Sequence, residues 1–188
     1  MSLPLALGLR LETMPTPMPY LAAEPARLAS WREKLGEGFR IGIAWQGAAA
    51  RGAAGKDVPL EMFEALATLP GVTLFSLQKA DDADALPDWL TPLPGLDADK
   101  PFLDTAAVIA SLDLVITADT VIAHLAGALG APVWLALKHV PNWRWMLDRT
   151  DSPWYPTARL FRQSEPDDWE PVFAGIAQAL VQRQAEKL

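Results

Sequence analysis

The chain contains no cysteine, and that one absence excludes disulfides, zinc ribbons, iron–sulfur ligation and a thiol nucleophile together. Histidine is scarce as well. His124 and His139 are the only two in 188 residues, too few for a histidine-rich metal site. Positive charge is short: 16 Lys and Arg face 23 Asp and Glu, for a net charge of -7. That balance opposes binding to DNA or RNA, because neutralising many phosphates needs clustered cations. A small phosphorylated ligand stays open, since one or two cations and a few backbone N–H groups suffice to hold it. Long apolar runs are missing too. The most apolar stretch, Val121 to Leu137, is broken by His124 and Pro132 and falls short of the ~20 residues a membrane span needs. The run Leu3 to Leu9 has no positive segment before it and no small-residue cleavage site straight after it, so the expected location is cytoplasmic.

What remains is ordinary globular composition, 51% hydrophobic and 21% charged with 12 Gly and 17 Pro. Disorder, collagen and coiled coil do not have those fractions. Residues 1–23 carry four prolines and little periodicity, which predicts an extended lead-in or interdomain strap; residues 24–188 are expected to form one domain. Leu28, Trp31 and Leu35 fall at helical spacing after Pro25, and Gly36 and Gly38 end that helix. Apolar runs of strand length follow at Phe39–Trp45, Val72–Leu77, Leu112–Thr117, Pro132–Leu137 and Ala158–Phe161. They are continuous rather than alternating, as a parallel strand covered on both faces requires. Helical patterns lie between them at Leu60–Leu69, more weakly at Asp81–Leu90, at Thr105–Ser111 and at Thr120–Leu129, and Asp168–Arg183 closes the chain. Such alternation predicts an α/β, Rossmann-like, doubly wound parallel sheet. Gly52–Gly55 and Leu90–Phe102 read as mobile loops.

Ligands of open parallel sheets bind beyond the carboxyl ends of the strands, at the point where the strand order reverses. Four segments occupy such ends: Trp45–Asp57, Gln78–Asp84, Ala118–Val121 and Lys138–Trp145. In the third, Asp119 and Thr120 stand at the start of a helix, where free N–H groups and the positive dipole end favour a diphosphate. His124 follows one turn later on the same face. Taken alone, an N-cap at Asp119 and a packed core histidine are the better account of those residues, because short motifs have many false positives.

Other motifs carry less. Gly42-Ile43-Ala44-Trp45-Gln46-Gly47 imitates a dinucleotide fingerprint, but its first glycine lies inside a strand, Ala44 replaces the middle one, and the second strand ends in Gln78 without a ribose-binding acid. The loop Gly47–Asp57 could instead bring Arg51 and Lys56 over the anion site, or carry them simply as two solvated cations. Asp82-Ala83-Asp84 and Asp97-Ala98-Asp99 have metal-binding spacing, which a chain this acidic also produces by chance. Asp104 before Thr105 reads as an N-cap. Trp143, Trp145, Trp154 and Tyr155 cluster in Pro141–Pro156; rings of this kind stack on a base or sugar, and more often pack. No G-x-S-x-G occurs, and no Ser–His–Asp order is evident.

Taken in order, Phe39 to Gly47, Val58-Pro59-Leu60, Phe75-Ser76-Leu77-Gln78-Lys79, Asp104 to Ala107, Asp119 to Trp134, Trp143-Arg144-Trp145 and Asp151 to Pro156 form a set. That set resembles the C-terminal half of heptosyltransferase-like glycosyltransferases of family 9, closest to the branch often fused behind tetratricopeptide repeats. The resemblance implies a GT-B architecture whose C-terminal half holds a nucleotide diphosphate sugar, without a metal or other cofactor. It implies a donor-binding set of Trp45, Gln46, Gly47, Lys56, Gln78, Lys79, Asp119, Thr120, Val121 and His124. Asp119 would meet sugar hydroxyls, and Thr120 and Val121 would offer N–H groups to the diphosphate. His124 would brace the turn or reach the donor, Lys56 would neutralise phosphate, and Gln78 and Lys79 would lie near ribose or base. Val121 stands where heptosyltransferases usually have Gly. The resemblance also implies that the catalytic base comes from an acceptor-binding half, expected outside this chain, so the catalytic residues stay unassigned.

Two functions follow as expectations. The first is a donor-binding domain of an inverting, metal-independent glycosyltransferase completed by an acceptor domain or subunit. The alternative is a degenerate GT-B half acting as a non-catalytic binding or assembly module. A nicotinamide oxidoreductase is a third, opposed by the poor glycine pattern.

Overall fold

The computed structural model describes residues 6–11, 18–47, 57–78 and 86–185. Helix α1, Pro25–Leu35, precedes strand β1, Phe39–Ala44. A 3-10 turn at Leu60–Phe63 runs into the short α2, Glu64–Ala67, and then β2, Val72–Ser76, and β3, Leu90–Thr91. Helix α3, Leu103–Ile109, leads to β4, Leu114–Thr117, and α4, Val121–Ala128, leads to β5, Val133–Leu137. A 3-10 turn at Trp143–Trp145, strand β6, Ala158–Arg162, and α5, Glu170–Ala185, complete the chain.

The six strands form one sheet in the order β3-β2-β1-β4-β5-β6, every neighbouring pair parallel. This is the expected doubly wound, Rossmann-like α/β fold. Successive side chains go to opposite faces, and both faces are buried. Ile41, Ile43, Leu74, Leu114, Ile116 and Trp134 pack under Phe63, Leu66, Phe173 and Ile176. Val115, Val133, Leu135 and Leu137 pack under Trp31, Val108, Ile122 and Ala126. That two-sided burial is why the strands read as continuous apolar runs. Gly42 sits inside β1, where an added Cβ would lie 2.5 Å from Leu112 Cδ1 and 2.6 Å from Leu77 Cδ1. It is a packing glycine, which removes the dinucleotide-fingerprint reading.

Three expectations change. Asp81–Asp84 lie outside the described residues, but Leu86–Trp89 form no helix. Pro87 disfavours helical backbone before it, Leu90 N–H donates to Pro87 C=O at 2.9 Å, and Leu90 then pairs with Leu74 at the sheet edge. The segment read as a mobile loop, Leu90–Phe102, is fastened. Asp99 Oδ1 accepts from Arg27 at 3.0 Å, and Asp97 accepts from the Asp104 and Thr105 amides at 2.9 and 3.0 Å and from Thr105 Oγ1 at 2.6 Å. Asp97 therefore caps α3, and Asp104 lies inside its first turn. The Asp104 carboxylate instead accepts from Arg27 and from the Trp31 indole, both at 2.8 Å. Among the described residues no cluster of His, Asp and Glu has metal-binding geometry, and the carboxylates of Asp97-Ala98-Asp99 already have these partners.

Burial alone would raise the Asp104 carboxyl, but the Trp31 N–H and Arg27 together hold it below the ordinary carboxylate range. Asp104→Ala leaves the buried Trp31 N–H without an acceptor and is expected to destabilise the fold by about 2–3 kcal/mol. A urea unfolding midpoint within error of the parent would contradict this.

Candidate functional site

The strand order reverses between β1 and β4: the chain leaves β1 toward β2 and returns through α3 to β4 on the other side. A crevice opens between the carboxyl ends of two strands whose crossovers depart in opposite directions. The Ala118 N–H donates to Ala44 C=O at 2.9 Å and holds the two ends together. On the β1 side lie Trp45, which is half-buried, and the exposed Gln46 and Gly47. Gln46 N–H donates to Gln78 Oε1 at 3.3 Å, which brings the end of β2 beside the end of β1. Gly47 N–H donates to Asp57 Oδ1 at 3.2 Å, and Val58 N–H donates to Trp45 C=O at 2.8 Å. A Cβ on Gly47 would sit 3.9 Å from the Thr120 methyl, so the β1 and β4 turns face each other. Lys56 and Lys79, with Arg51, lie outside the described residues.

The β4 turn enters α4 through Thr120, whose extended backbone and hydroxyl make it the N-cap, in place of Asp119. Thr120 Oγ1 accepts from Ile122 N–H at 3.2 Å and lies 3.0 Å from Thr117 Oγ1. Of the two amides expected to meet a diphosphate, that of Thr120 already donates to Ala118 C=O at 2.8 Å. The Val121 amide makes no hydrogen bond among the described residues, and its side chain is 53% exposed. The half-buried Asp119 stands beside it.

His124 lies one turn into α4, inside a set of aromatic rings that sequence reasoning assigned to packing. Its Nδ1 is 3.0 Å from the Tyr155 hydroxyl, and its ring stacks on Trp145 at 5.4 Å and 14°. Tyr155 reaches this position because residue 127 has no side chain. A Cβ on Gly127 would lie 2.3 Å from Tyr155 Cγ. Burial and the neighbouring Tyr20 hydroxyl push the Tyr155 phenol up to about 12. Burial, and after it the charge of Arg144, pulls His124 below its ordinary 6.5, against the opposing pull of Asp119. The imidazole is therefore neutral at pH 7 and serves as a hydrogen-bonding and stacking group.

Arg144 is the cation acting on His124 that the sequence pattern did not single out. Its signal was available: it is the positive residue between the two tryptophans of Trp143-Arg144-Trp145, in the loop beyond β5. The 3-10 turn fixes it, with Arg144 N–H donating to Asn142 Oδ1 at 3.2 Å and the Trp154 indole donating to Arg144 C=O at 2.7 Å.

Two outcomes test this geometry. Titrated by proton NMR, His124 should half-protonate below 6.5, and Arg144→Gln should raise that midpoint by removing a repelling charge. Because the unfolded chain then takes up a proton that the folded imidazole resists, stability should decline as the pH falls below about 6.5. An Arg144→Gln midpoint equal to the parent's would separate the two groups. Gly127→Ala should cost about 1–2 kcal/mol, the overpacking against Tyr155 exceeding alanine's helix preference; an unchanged thermal midpoint would contradict the contact.

No family model matches the chain. It is 31% identical over 180 residues to Protein FlbA of Caulobacter vibrioides, covering 90% of this chain and 30% of that protein. Among solved structures, E. coli ADP-heptose lps heptosyltransferase II matches with a TM-score of 0.64 at 17% identity, over 93% of this chain and 57% of that one. The glycosyl transferase family 9 protein of Veillonella parvula matches with a TM-score of 0.54 at 14% identity, over 84% of this chain and 45% of that one. E. coli heptosyltransferase WaaC with ADP-2-deoxy-2-fluoro heptose matches with a TM-score of 0.51 at 18% identity, over 94% and 53%. The chain thus shares its fold with family 9 glycosyltransferases, and it spans under a third of FlbA and about half of each enzyme. Among the described residues no helix is long and apolar enough to cross a membrane.

Proposed function

We propose that the chain is the nucleotide-sugar-binding, C-terminal half of an inverting, metal-independent glycosyltransferase. In this reading residues 24–188 are the donor domain and residues 1–23 the strap to an acceptor domain, in the branch often fused behind tetratricopeptide repeats. The observation that carries it is the β1/β4 crevice with the start of α4 facing Gly47, in a fold shared with family 9 glycosyltransferases. A nucleotide diphosphate sugar would lie there with its diphosphate toward the Val121 amide and Lys56, its base or ribose toward Gln78 and Lys79, and its sugar hydroxyls toward Asp119. The lead-in runs beside this helix, with Tyr20 and Leu21 N–H both donating to Ala128 C=O at 3.0 and 3.1 Å.

The chemistry asked of this half is stabilisation of a leaving group. The bond from anomeric carbon to phosphate oxygen breaks as an acceptor hydroxyl oxygen attacks from the opposite face. The diphosphate then carries the new negative charge toward the helix start and Lys56. The acceptor's proton goes to a base on the other half of the cleft.

A second reading, a degenerate half retained as a binding or assembly module, draws support from the amides. Thr120 and Gly47 N–H groups already have protein acceptors, which leaves a narrower anion cradle. Calorimetric titration with ADP, UDP and GDP and their hexose and heptose conjugates separates the two. Millimolar or tighter binding of at least one, weakened about tenfold or more by Asp119→Ala, is expected for the donor domain. A folded chain that binds none of them overturns the donor domain and favours the module.

A further inference from the structure

Resting on the donor-site reading, we propose that Arg144 is the phosphate anchor of this half, its guanidinium and the Trp143 ring forming one wall of the ligand crevice. The first ground is an imbalance of partners. Among the other half-buried arginines of the described residues, Arg27 pairs with Asp99 and Asp104, Arg40 with Asp113 and Arg149 with Asp151, while Arg162 donates to the Arg149 and Trp145 carbonyls and Arg183 to that of Asp113. Arg144 makes no ion pair among the described residues, and its buried Nε has no hydrogen-bond acceptor. A guanidinium cannot shed its charge by deprotonating, so a half-buried one without a counter-anion leaves strong donors unanswered.

Position is the second ground. Arg144 lies beyond the carboxyl end of β5, the neighbour of β4 on the far side of the reversal point. Trp145, the next residue, stacks on His124 of α4, and Arg144 carries its charge to both His124 and Tyr155. The cation therefore lies near enough to act on His124, in the helix whose first turn opens on the crevice.

The third ground is rigidity and shape. Asn142 and Trp154 hold the Arg144 backbone on both sides. The guanidinium lies over the Trp143 ring at 5.8 Å, which steadies one face while leaving the in-plane donors unpaired. Trp143 is 56% exposed and braced edge-on by Trp154 at 6.4 Å. A planar fork of donors beside an exposed, supported ring fits a phosphate attached to a flat base, the fork taking phosphate oxygens and the ring taking a π face. The ligand class is a nucleoside diphosphate.

Wild type, Arg144→Gln and Arg144→Lys are titrated calorimetrically with inorganic pyrophosphate, ADP and UDP, while NMR follows the two histidines. Pyrophosphate is expected to move the His124 resonances and leave those of His139 in place. Arg144→Gln should weaken pyrophosphate and nucleotide about tenfold or more, and Arg144→Lys should recover part of the loss by keeping charge without the fork. Arg144→Gln with an unchanged urea midpoint and wild-type nucleotide affinity overturns the anchor and leaves the donor-domain reading standing. Arg144-dependent binding of pyrophosphate with no binding of any nucleotide keeps Arg144 as a phosphate anchor but overturns the nucleoside diphosphate as its ligand, and the donor-domain reading with it. Wild type that binds none of the probes overturns both.

Discussion

β1 and β4 run side by side and parallel, joined at their carboxyl ends by the Ala118–Ala44 hydrogen bond, while the chain departs from them on opposite sides. No crossover covers the gap between those ends. The turn after β1 and the turn into α4 are therefore left facing each other, and backbone groups that a crossover would bury stay near the surface. The Gly47–Thr120 approach, the Gln46–Gln78 contact and the exposure of Val121 all descend from that arrangement.

Around this opening the protein builds an aromatic floor rather than a charged one. Trp145 and Tyr155 close over His124, and Gly127 leaves room for the phenol to lie against α4. Burial pulls the imidazole below its ordinary range, so among the described residues the positive character beside it comes from the helix start and from Arg144. A guanidinium tolerates this half-buried position better than an ammonium because it is more weakly hydrated and can lie flat against an indole.

The negative charge of the chain is put to structural use far from that opening. Asp97, Asp99 and Asp104 converge on Arg27, Trp31 and the start of α3, which ties the β3–α3 connection to α1. Spacing alone cannot tell Asp97-Ala98-Asp99 from a metal-binding pair, because what decides their roles is the α3 start that Asp97 caps from seven residues upstream and Arg27, more than seventy residues from Asp99 along the chain.

The sequence by itself determined the class of fold and the addresses of its loops. Continuous apolar runs separated by helical periodicity specify parallel strands buried on both faces, and strand ends followed by Gln46, Gln78 and Thr120 mark where ligands of such sheets bind. Local chemistry carried that far because strand and helix periods are properties of short segments. The tertiary structure alone decided which amides near Thr120 are still free, that Asp97 caps α3, that Leu90 pairs at the sheet edge, and that Arg144 stands by His124. Leu90 and Arg144 depend on partners distant along the chain, Leu74 and His124, whereas the Thr120 amide and the Asp97 cap depend on how a short loop folds back on itself. Hydrogen bonding, ion pairing and desolvation act across a few ångströms of space, a separation that a linear order of residues does not record.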